Sequence, residues 1–485
     1  MATKPYRNES AYFLLLSIAA TLAFLVLVAV FWPKLTLLII TVSLLAIGGV
    51  LLVLKKSDAG LILSLIVAGI LAPYLRQLSI VNVGSGDVRL AGLTGLAILA
   101  LTSFSVLGAH LVQRRPMVVA SRSGLNIVLS IFILLNLAAI GNGAMRYGLA
   151  TAVNDANWLP WIGFLILVVI KPSPKLMKYL GITLLAITVV QSLQGIVRII
   201  QGSGTIYLST GGERYVAGST SVWIASGLII SILMLMYRAK NRREQWLFGT
   251  LALIQIIGVI ISFNRQTWFA LAVGLSFGFL FLLRGKRLQL AIRVIGFTLI
   301  MFLVIFVIDK LGVLQIQIYD ALIQRIAGGS LQELALDPSY QFRLSAWTVA
   351  FKGAIQNPML GLGWGAPFQF SIIVPKTGAY QVFNSSPHNT YLWLAYKSGV
   401  FSLFSFLALI TLLIFSGARQ VRRLRWSNST LSLYLVAALL IELVFLSGAL
   451  FWDYLSVAYM SIPFWINTGV IACLITYRPT YIQSE

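Results

Sequence analysis

Long apolar segments separated by short polar connections run through almost the whole chain. About fourteen of them are long enough to cross a bilayer as a helix, which takes roughly 20 residues. The predicted spans cover residues 11–32, 35–54, 60–78, 90–112, 125–145, 156–170, 176–198, 216–237, 246–263, 267–283, 288–308, 388–416, 431–452 and 456–476. Because the segment at 156–170 is short, the pattern is compatible with about 12 to 14 spans. It therefore predicts an all-α polytopic membrane protein.

The apolar pattern is interrupted once, over residues 309–387. This stretch contains no spanning segment but has amphipathic periodicity, which predicts helices at 311–326 and 339–356. Asn357-Pro358 ends the second helix, and the glycines from Gly361 to Gly365 predict a tight turn with exposed backbone. Since long ordered insertions are usually functional, we interpret this stretch as the active face.

Three regions follow from this pattern. Residues 1–308 are predicted to form a transmembrane bundle of about 11 spans, residues 309–387 a large external loop with amphipathic helices, and residues 388–485 about three further spans.

Composition narrows the class of protein. The chain is 59% hydrophobic and 10% charged, with a mean hydropathy of +0.91, which excludes a soluble globular protein and a disordered one. The net charge of +23 raises the question of a nucleic-acid partner. However, most lysines and arginines fall in alternate connections, as at 55–56, 238–243 and 419–425. This bias predicts cytoplasmic termini, an external 309–387 loop and contact with anionic membrane lipids, and no nucleic-acid partner.

Several cofactor classes lack their sequence signals. The chain has no phosphate-binding glycine loop and only two histidines, His110 and His388. We therefore expect no metal and no cofactor.

Polar residues gather near the predicted outer ends of spans. Gln191, Gln194, Arg198 and Gln201 recur at steps of three and four residues, which places them on one helix face. They either pack against neighbouring helices or line a polar groove. After them, Gly211-Gly212-Glu213-Arg214 predicts a turn that brings backbone close to a ligand.

Two further arginines lie on the same predicted outer side of the membrane. Arg265 lies in the short connection 263–267, next to two helix ends, where it either meets an anion or reaches lipid phosphate. Arg343 lies near the start of the predicted helix 339–356, on the same face as Trp347. It is either a phosphate ligand or a solvated surface residue.

His388 has the strongest local argument. Ser386 is a good N-cap and Pro387 a favoured first helical residue, so His388 is predicted in the opening turn of the span 388–416. There the free backbone N–H groups favour a neutral imidazole that accepts a proton, and they also attract an anion. The alternative is a structural histidine at a helix start.

Two charged residues fall inside predicted spans at matching depths. Lys397 lies about 14 Å below His388 at 1.5 Å per residue, and Glu442 lies about ten residues below the outer end of its span. Since either charge alone is costly in the hydrocarbon layer, the sequence predicts a buried Lys397–Glu442 ion pair.

The order of these motifs resembles a known family. Arg343-Leu-Ser-Ala-Trp347, then Asn357-Pro358 and the 361–365 turn, then His388-Asn389 with Gly399 ten residues after Asn389, resemble the O-antigen ligase and polymerase superfamily of bacterial membrane glycosyltransferases. Ser262-Phe-Asn-Arg265 resembles the outer arginine of that family. The resemblance covers roughly residues 210–402.

The resemblance implies a GT-C-like helical fold in the bacterial cytoplasmic membrane, with its active face in the periplasm. It implies transfer or polymerisation of a polyprenyl-diphosphate-linked glycan without metal or nucleotide. By position, Arg265 and Arg343 would hold the diphosphate and His388 would orient or deprotonate the acceptor hydroxyl. Arg198, Arg214, Trp347 and Asn389 are the expected substrate-binding residues. The acceptor is a glycan, a lipid or a protein, and partners from a polysaccharide-assembly machine are expected.

Two other functions remain open at this point. A transporter of a lipid-linked sugar or of a small anion such as bicarbonate would also have many spans with a polar stripe. A non-catalytic assembly protein would keep the fold without needing Arg265, Arg343 and His388 together. The combined motif favours the enzyme.

Overall fold

The computed structural model describes residues 123–155, 174–202, 205–207, 212–214, 216, 218–282, 296, 307, 338–373, 380–423, 430–456 and 458–476. These residues are mostly helical. The helices are α1 (Ser123–Tyr147), α2 (Leu149–Asp155), α3 (Pro174–Ile200), α4 (Gly218–Tyr237), α5 (Arg242–Ile261), α6 (Arg265–Phe277), α7 (Pro338–Gln356), α8 (Thr390–Ser398), α9 (Val400–Arg423), α10 (Thr430–Gly448) and α11 (Ala458–Thr476). A π-helical turn, Gly278–Leu282, extends α6, and a 3-10 turn, Tyr454–Ser456, precedes α11.

Two small antiparallel hairpins complete the described part of the chain. Strands β1 (Thr205–Tyr207) and β2 (Gly212–Arg214) pair between α3 and α4, and strands β3 (Phe370–Ile373) and β4 (Tyr380–Phe383) pair between α7 and α8.

Six described helices are long and apolar enough to cross a membrane. They are Ile127–Tyr147, Met177–Ile200, Thr220–Tyr237, Arg242–Ile261, Val400–Arg423 and Leu431–Gly448, and Pro463–Ile475 is a shorter apolar helix. The all-α polytopic class is therefore confirmed. The predicted spans at 11–32, 35–54, 60–78, 90–112, 156–170 and 288–308, and the predicted helix 311–326, lie outside the described residues or almost entirely so.

Helix α4 lies at the centre of the described bundle and packs against α3, α5 and α10. Small residues permit these close contacts. A Cβ on Gly227 would meet Thr188 Oγ1 at 2.0 Å, and one on Gly258 would meet Ser192 Oγ at 2.6 Å. Because apolar side chains gain little by leaving lipid, such close packing is a main source of association between helices in a membrane.

The predicted span 388–416 is wrong as a single helix. The chain forms α8, breaks at Gly399 and continues as α9. Gly399 has φ +89°, and a Cβ there would lie 2.5 Å from Met359 O. The backbone N–H of Val400 donates to Pro358 O at 2.8 Å. A neighbouring segment therefore occupies the break and satisfies backbone groups that the helix leaves open.

That neighbouring segment follows α7. The helix runs from Pro338 to Gln356, which confirms the predicted helix to within a residue. Asn357 and Pro358 follow its end, as predicted, and the three turn glycines have positive φ. The turn is buried, however, and the prediction of exposed backbone is wrong. Leu362 N and Gly363 N donate to the carbonyls of Tyr396 and Lys397 at 2.9 and 3.0 Å, so the turn is held by hydrogen bonds to α8.

Trp364 anchors the same turn against α1. Its side chain is fully buried, and its backbone N–H donates to Ala139 O at 3.3 Å. A Cβ on Gly143 would lie 1.8 Å from Trp364 O, so only glycine fits there. The 338–373 segment is thus packed into the bundle along part of its length.

The predicted Lys397–Glu442 ion pair is wrong. The Lys397 ammonium pairs with Asp155 at the end of α2 and also donates to Ala366 O. Glu442 instead accepts hydrogen bonds from Asn467 and Thr468 of α11, each at 2.7 Å. Matching depth did not identify the partner because α2, a short helix outside the predicted spans, brings a nearer carboxylate.

Candidate functional site

His388 lies one residue before the cap of α8. Asn389 is the N-cap, and its side-chain oxygen accepts from Leu392 N at 3.0 Å. The prediction that Ser386 caps the helix and that His388 lies in its first turn is therefore wrong. His388 has φ +49°, a conformation that costs a non-glycine residue about 1–3 kcal/mol. Such strain persists where the surroundings hold the residue in place.

Aromatic rings hold His388 on two sides. Its ring centroid lies 5.2 Å from that of Phe342 on α7 and 4.8 Å from that of Trp452, which follows α10. A quarter of the side chain, 25%, stays exposed. The imidazole is therefore fixed in orientation and still accessible.

Asp453 faces the buried nitrogen of this imidazole. His388 Nδ1 lies 3.4 Å from Asp453 Oδ1, slightly beyond ordinary hydrogen-bond length. The other carboxylate oxygen, Oδ2, accepts from Ser386 Oγ at 2.6 Å. A carboxylate at Nδ1 favours the tautomer with a proton on that nitrogen, which leaves Nε2 as a proton acceptor. Hydrogen bonds in unliganded sites are often long and tighten when substrate binds.

The loop 449–453 that carries Asp453 is docked on the start of α8. Thr390 N donates to Ala449 O at 2.9 Å, and Thr390 Oγ1 donates to Trp452 O at 2.9 Å. Asn389 Nδ2 donates to Leu450 O at 2.9 Å. Asn389, expected to bind substrate, thus has a structural role at this contact.

Asp453 was missed in reading the sequence. One sequence feature could have indicated it. Asp453 lies in the short connection between the predicted spans 431–452 and 456–476, and this connection is predicted on the same side of the membrane as His388. That signal identifies the side of the membrane but does not identify the contact.

Trp347 connects α7 to this cluster. Its indole Nε1 donates to Pro387 O at 2.8 Å, so it positions the residue next to His388. Arg343 is half-buried and adjacent to Phe342, whose ring contacts His388. The structure therefore brings Trp347 and the Arg343 turn of α7 to the histidine.

Arg265 is the first residue of α6, in a tightly bonded turn. Its N-cap, Asn264, accepts from Gln266 N at 3.3 Å and donates to Ser221 Oγ at 3.2 Å, and the preceding Phe263 has φ +47°. One turn into α6, the ring of Phe269 lies 5.6 Å from that of Phe451. The start of α6 therefore lies beside the 449–453 loop.

Arg198 and Arg214 belong to a neighbouring part of the same end. Arg198 lies in the last turn of α3, and Arg214 ends β2, paired with Thr205. The predicted polar face is not uniform, because Gln191 is buried whereas Gln194 is exposed. Val216 packs on α3, since a Cβ on Gly195 would meet its Cγ2 at 2.4 Å. The structure anchors this part to α3 and α5.

Within the described ranges, no group of three or more His, Cys, Asp or Glu side chains converges as a metal site. The His388 cluster instead combines an oriented imidazole, aromatic walls and a carboxylate, and Arg265 and Arg343 lie on helices next to it. Such a set can remove a proton from a hydroxyl and stabilise an anionic leaving group.

Fold and site together define a polytopic helical membrane protein with a site around His388 at one end of its bundle. Residues 250–407 match a family model described as O-antigen ligase. The resemblance to the O-antigen ligase and polymerase family is therefore confirmed, and it supports glycan ligation or polymerisation at a membrane in general. The match includes Arg265, Arg343, Trp347, His388 and Asn389, whereas Arg198, Arg214 and Asp453 lie outside it. No curated protein matches the chain.

Proposed function

We propose that this protein is a membrane glycosyltransferase that moves a glycan from a polyprenyl-diphosphate carrier to an acceptor hydroxyl, on the periplasmic face of the bacterial cytoplasmic membrane. The observation that carries the proposal is the His388–Asp453 arrangement, and His388 lies within the residues that match the O-antigen ligase family model. The positive-inside charge bias supports a periplasmic location for this end of the bundle.

The reaction joins the acceptor oxygen to the anomeric carbon of the donor sugar. As that bond forms, the bond from the anomeric carbon to the diphosphate oxygen breaks, and polyprenyl diphosphate leaves with the bonding electrons. The hydroxyl proton moves to His388 Nε2. Asp453 stabilises the imidazolium that results, because its carboxylate lies at Nδ1.

Arg265 and Arg343 bind the diphosphate in this proposal. A guanidinium forms paired hydrogen bonds with phosphate oxygens and stabilises the negative charge that grows as the bond breaks. One such donor is typically worth about 2.7–4 kcal/mol in the transition state. A general base contributes a comparable factor of about 10²–10⁴ in rate. Arg198 and Arg214, nearer α3 and β2, would contact more distant parts of the glycan.

The test is release of polyprenyl diphosphate from a labelled polyprenyl-diphosphate oligosaccharide in proteoliposomes, with the glycan product sized. His388→Ala is expected to lower release at least 100-fold, in the range of a lost general base. His110→Ala removes the other histidine of the chain and serves as the matched control, with release expected near the wild-type rate.

The outcomes separate the candidate functions. Release that depends on His388 supports the transferase, and a product ladder distinguishes polymerisation from a single ligation. Equal release by the wild type and His388→Ala would remove the role of His388. Movement of the intact lipid-linked sugar or an anion across the bilayer, without release, would instead identify a transporter.

A further inference from the structure

Helix α7 has three distinct faces along its length. One is buried against the protein and carries mostly small side chains, including Ala346, Ala350, Gly353 and Ala354. A second is exposed and apolar, and a third is exposed and polar. A helix immersed in water needs only one apolar face, so the second apolar face requires an explanation.

The exposed apolar face, which we call the apolar stripe, recurs at steps of four and seven residues. It consists of Tyr340, Leu344, Phe351 and Ile355, and Met359 continues it beyond the end of the helix. Phe351 and Ile355 are each 57% exposed. The neighbouring polar stripe of Thr348, Lys352 and Gln356 is also exposed. On a helical wheel the apolar stripe lies between the buried face and the polar stripe.

The buried face fixes where α7 lies along α8. Phe342 near its start contacts His388, at the level where α8 begins. Past its end, Pro358 accepts from Val400 N at 2.8 Å, at the far end of α8. Since α8 has nine residues, these two contacts lie about 14 Å apart along its axis at 1.5 Å per residue. The helix α7 therefore runs alongside α8, from His388 to the break at Gly399.

The apolar stripe is continuous with the surface of a spanning helix. Met359 lies at the start of α9, whose exposed face carries Phe401, Phe404 and Phe415. The helix α9 is long and apolar enough to cross the membrane, so large exposed apolar side chains on it face lipid. The stripe on α7 extends that lipid-facing surface toward the histidine.

We infer that α7 is embedded in the leaflet at the His388 end, with the apolar stripe against lipid acyl chains and the polar stripe toward water. Trp347 adjoins the stripe and also donates a hydrogen bond to Pro387 O beside His388. The His388 cluster therefore lies at the boundary between bilayer and water. The 338–356 part of the predicted external loop is therefore an interfacial helix. This inference does not depend on the proposed reaction.

Spin-label accessibility in proteoliposomes tests it directly. In a Cys473→Ala background, single cysteines replace Phe351 or Ile355 on the apolar stripe and Thr348 or Gln356 on the polar stripe. Each is labelled with a nitroxide and exposed to oxygen, which concentrates in hydrocarbon, or to a water-soluble nickel chelate. All four positions are exposed in the protein, so burial alone predicts no separation between the two stripes. Phe404→Cys on α9 provides the lipid-facing reference.

We expect the ratio of oxygen to nickel accessibility to be several-fold higher at positions 351 and 355 than at 348 and 356, and similar to that at 404. Equal ratios on both stripes would show that water covers the apolar stripe and would overturn the inference. Protection of 351 and 355 from both reagents would mean that another protein surface covers the stripe, which also overturns it. Met359→Cys provides a second test if the Phe351 variant does not fold.

Discussion

The buried contact between Lys397 and Asp155 yields an asymmetric prediction. The Lys397 side chain is 2% exposed, whereas that of Asp155 is 25% exposed. The carboxylate therefore retains access to water and also accepts from Gly365 N at 2.7 Å. Beyond Asp155, the ammonium contacts Ala366 O, the face of Trp393 at 4.3 Å and the ring of Tyr396 at 6.0 Å. Removing the Asp155 charge should therefore destabilise the protein more than removing the Lys397 charge.

The expected magnitudes follow from this difference. Asp155→Asn keeps an acceptor for Gly365 N but leaves a buried ammonium without its counter-charge, which typically costs about 3–5 kcal/mol. Lys397→Met replaces the lysine with an apolar chain of similar length and leaves a carboxylate that water can reach. We expect a smaller cost of about 1–2 kcal/mol, because solvent screens the remaining charge. The double variant removes both charges and should be more stable than Asp155→Asn alone.

The free energy of unfolding of the four proteins is measured by titrating SDS into mixed micelles. The two single variants and the double variant then form a double-mutant cycle, with an expected coupling of about 1–3 kcal/mol. Glu442→Gln is the matched control, because it neutralises a buried carboxyl group that bonds to α11 instead. Combined with Lys397→Met, its effect should be additive to within about 0.5 kcal/mol.

Two results would refute this reasoning. Additive costs for Asp155→Asn and Lys397→Met would mean that the two groups do not interact in the folded protein. A larger cost for Lys397→Met than for Asp155→Asn would mean that the aspartate, and not the lysine, depends on the pair.

Three other predictions concern the site and the turn beside it. Arg343→Ala is expected to lower turnover at least as much as His388→Ala, about 100-fold or more. Lys352→Ala on the same helix is the control and should change turnover little. Near-normal turnover in Arg343→Ala would contradict diphosphate binding by Arg343. Asp453→Asn should lower turnover by about 10- to 100-fold, less than loss of a whole general base, because Phe342 and Trp452 also orient the imidazole; the same release assay measures it. Gly143→Ala should lower the free energy of unfolding by at least about 1–3 kcal/mol, because its Cβ overlaps Trp364 O. SDS titration measures this change. Gly141→Ala, with no atom near its Cβ, is the control and should be neutral or stabilising.

The long-range pattern of the sequence predicted the class of fold and several elements. Apolar runs predicted the described spans. The helix-breaking pair Asn357-Pro358 predicted the end of α7, and the glycines after it predicted a turn. The order of Arg265, Arg343 and His388-Asn389 predicted the family that residues 250–407 match. These features depend on residues close together in the chain, or on the periodicity imposed by a bilayer, so they can be read without knowing the tertiary contacts.

Local reading failed where a distant segment competes with a local signal. Ser386 and Pro387 have the residue types of a helix start, yet Ser386 donates to Asp453 and Asn389 caps α8. The run 388–416 is apolar enough for one span, yet Pro358 and Met359 fill a break at Gly399. In each case an acceptor from a distant part of the chain, the Asp453 carboxylate or the Pro358 carbonyl, accepts a hydrogen bond at the position where the local pattern predicts a regular helix.

The sequence by itself determined that this chain is a helical membrane protein and that it resembles the O-antigen ligase family. Only the tertiary structure decided the partners: Asp453 for His388, Asp155 for Lys397, and Asn467 and Thr468 for Glu442. The physical reason is that the bilayer imposes a one-dimensional pattern of apolar lengths along the chain. A polar contact inside the bundle depends instead on the rotation and depth of several helices at once.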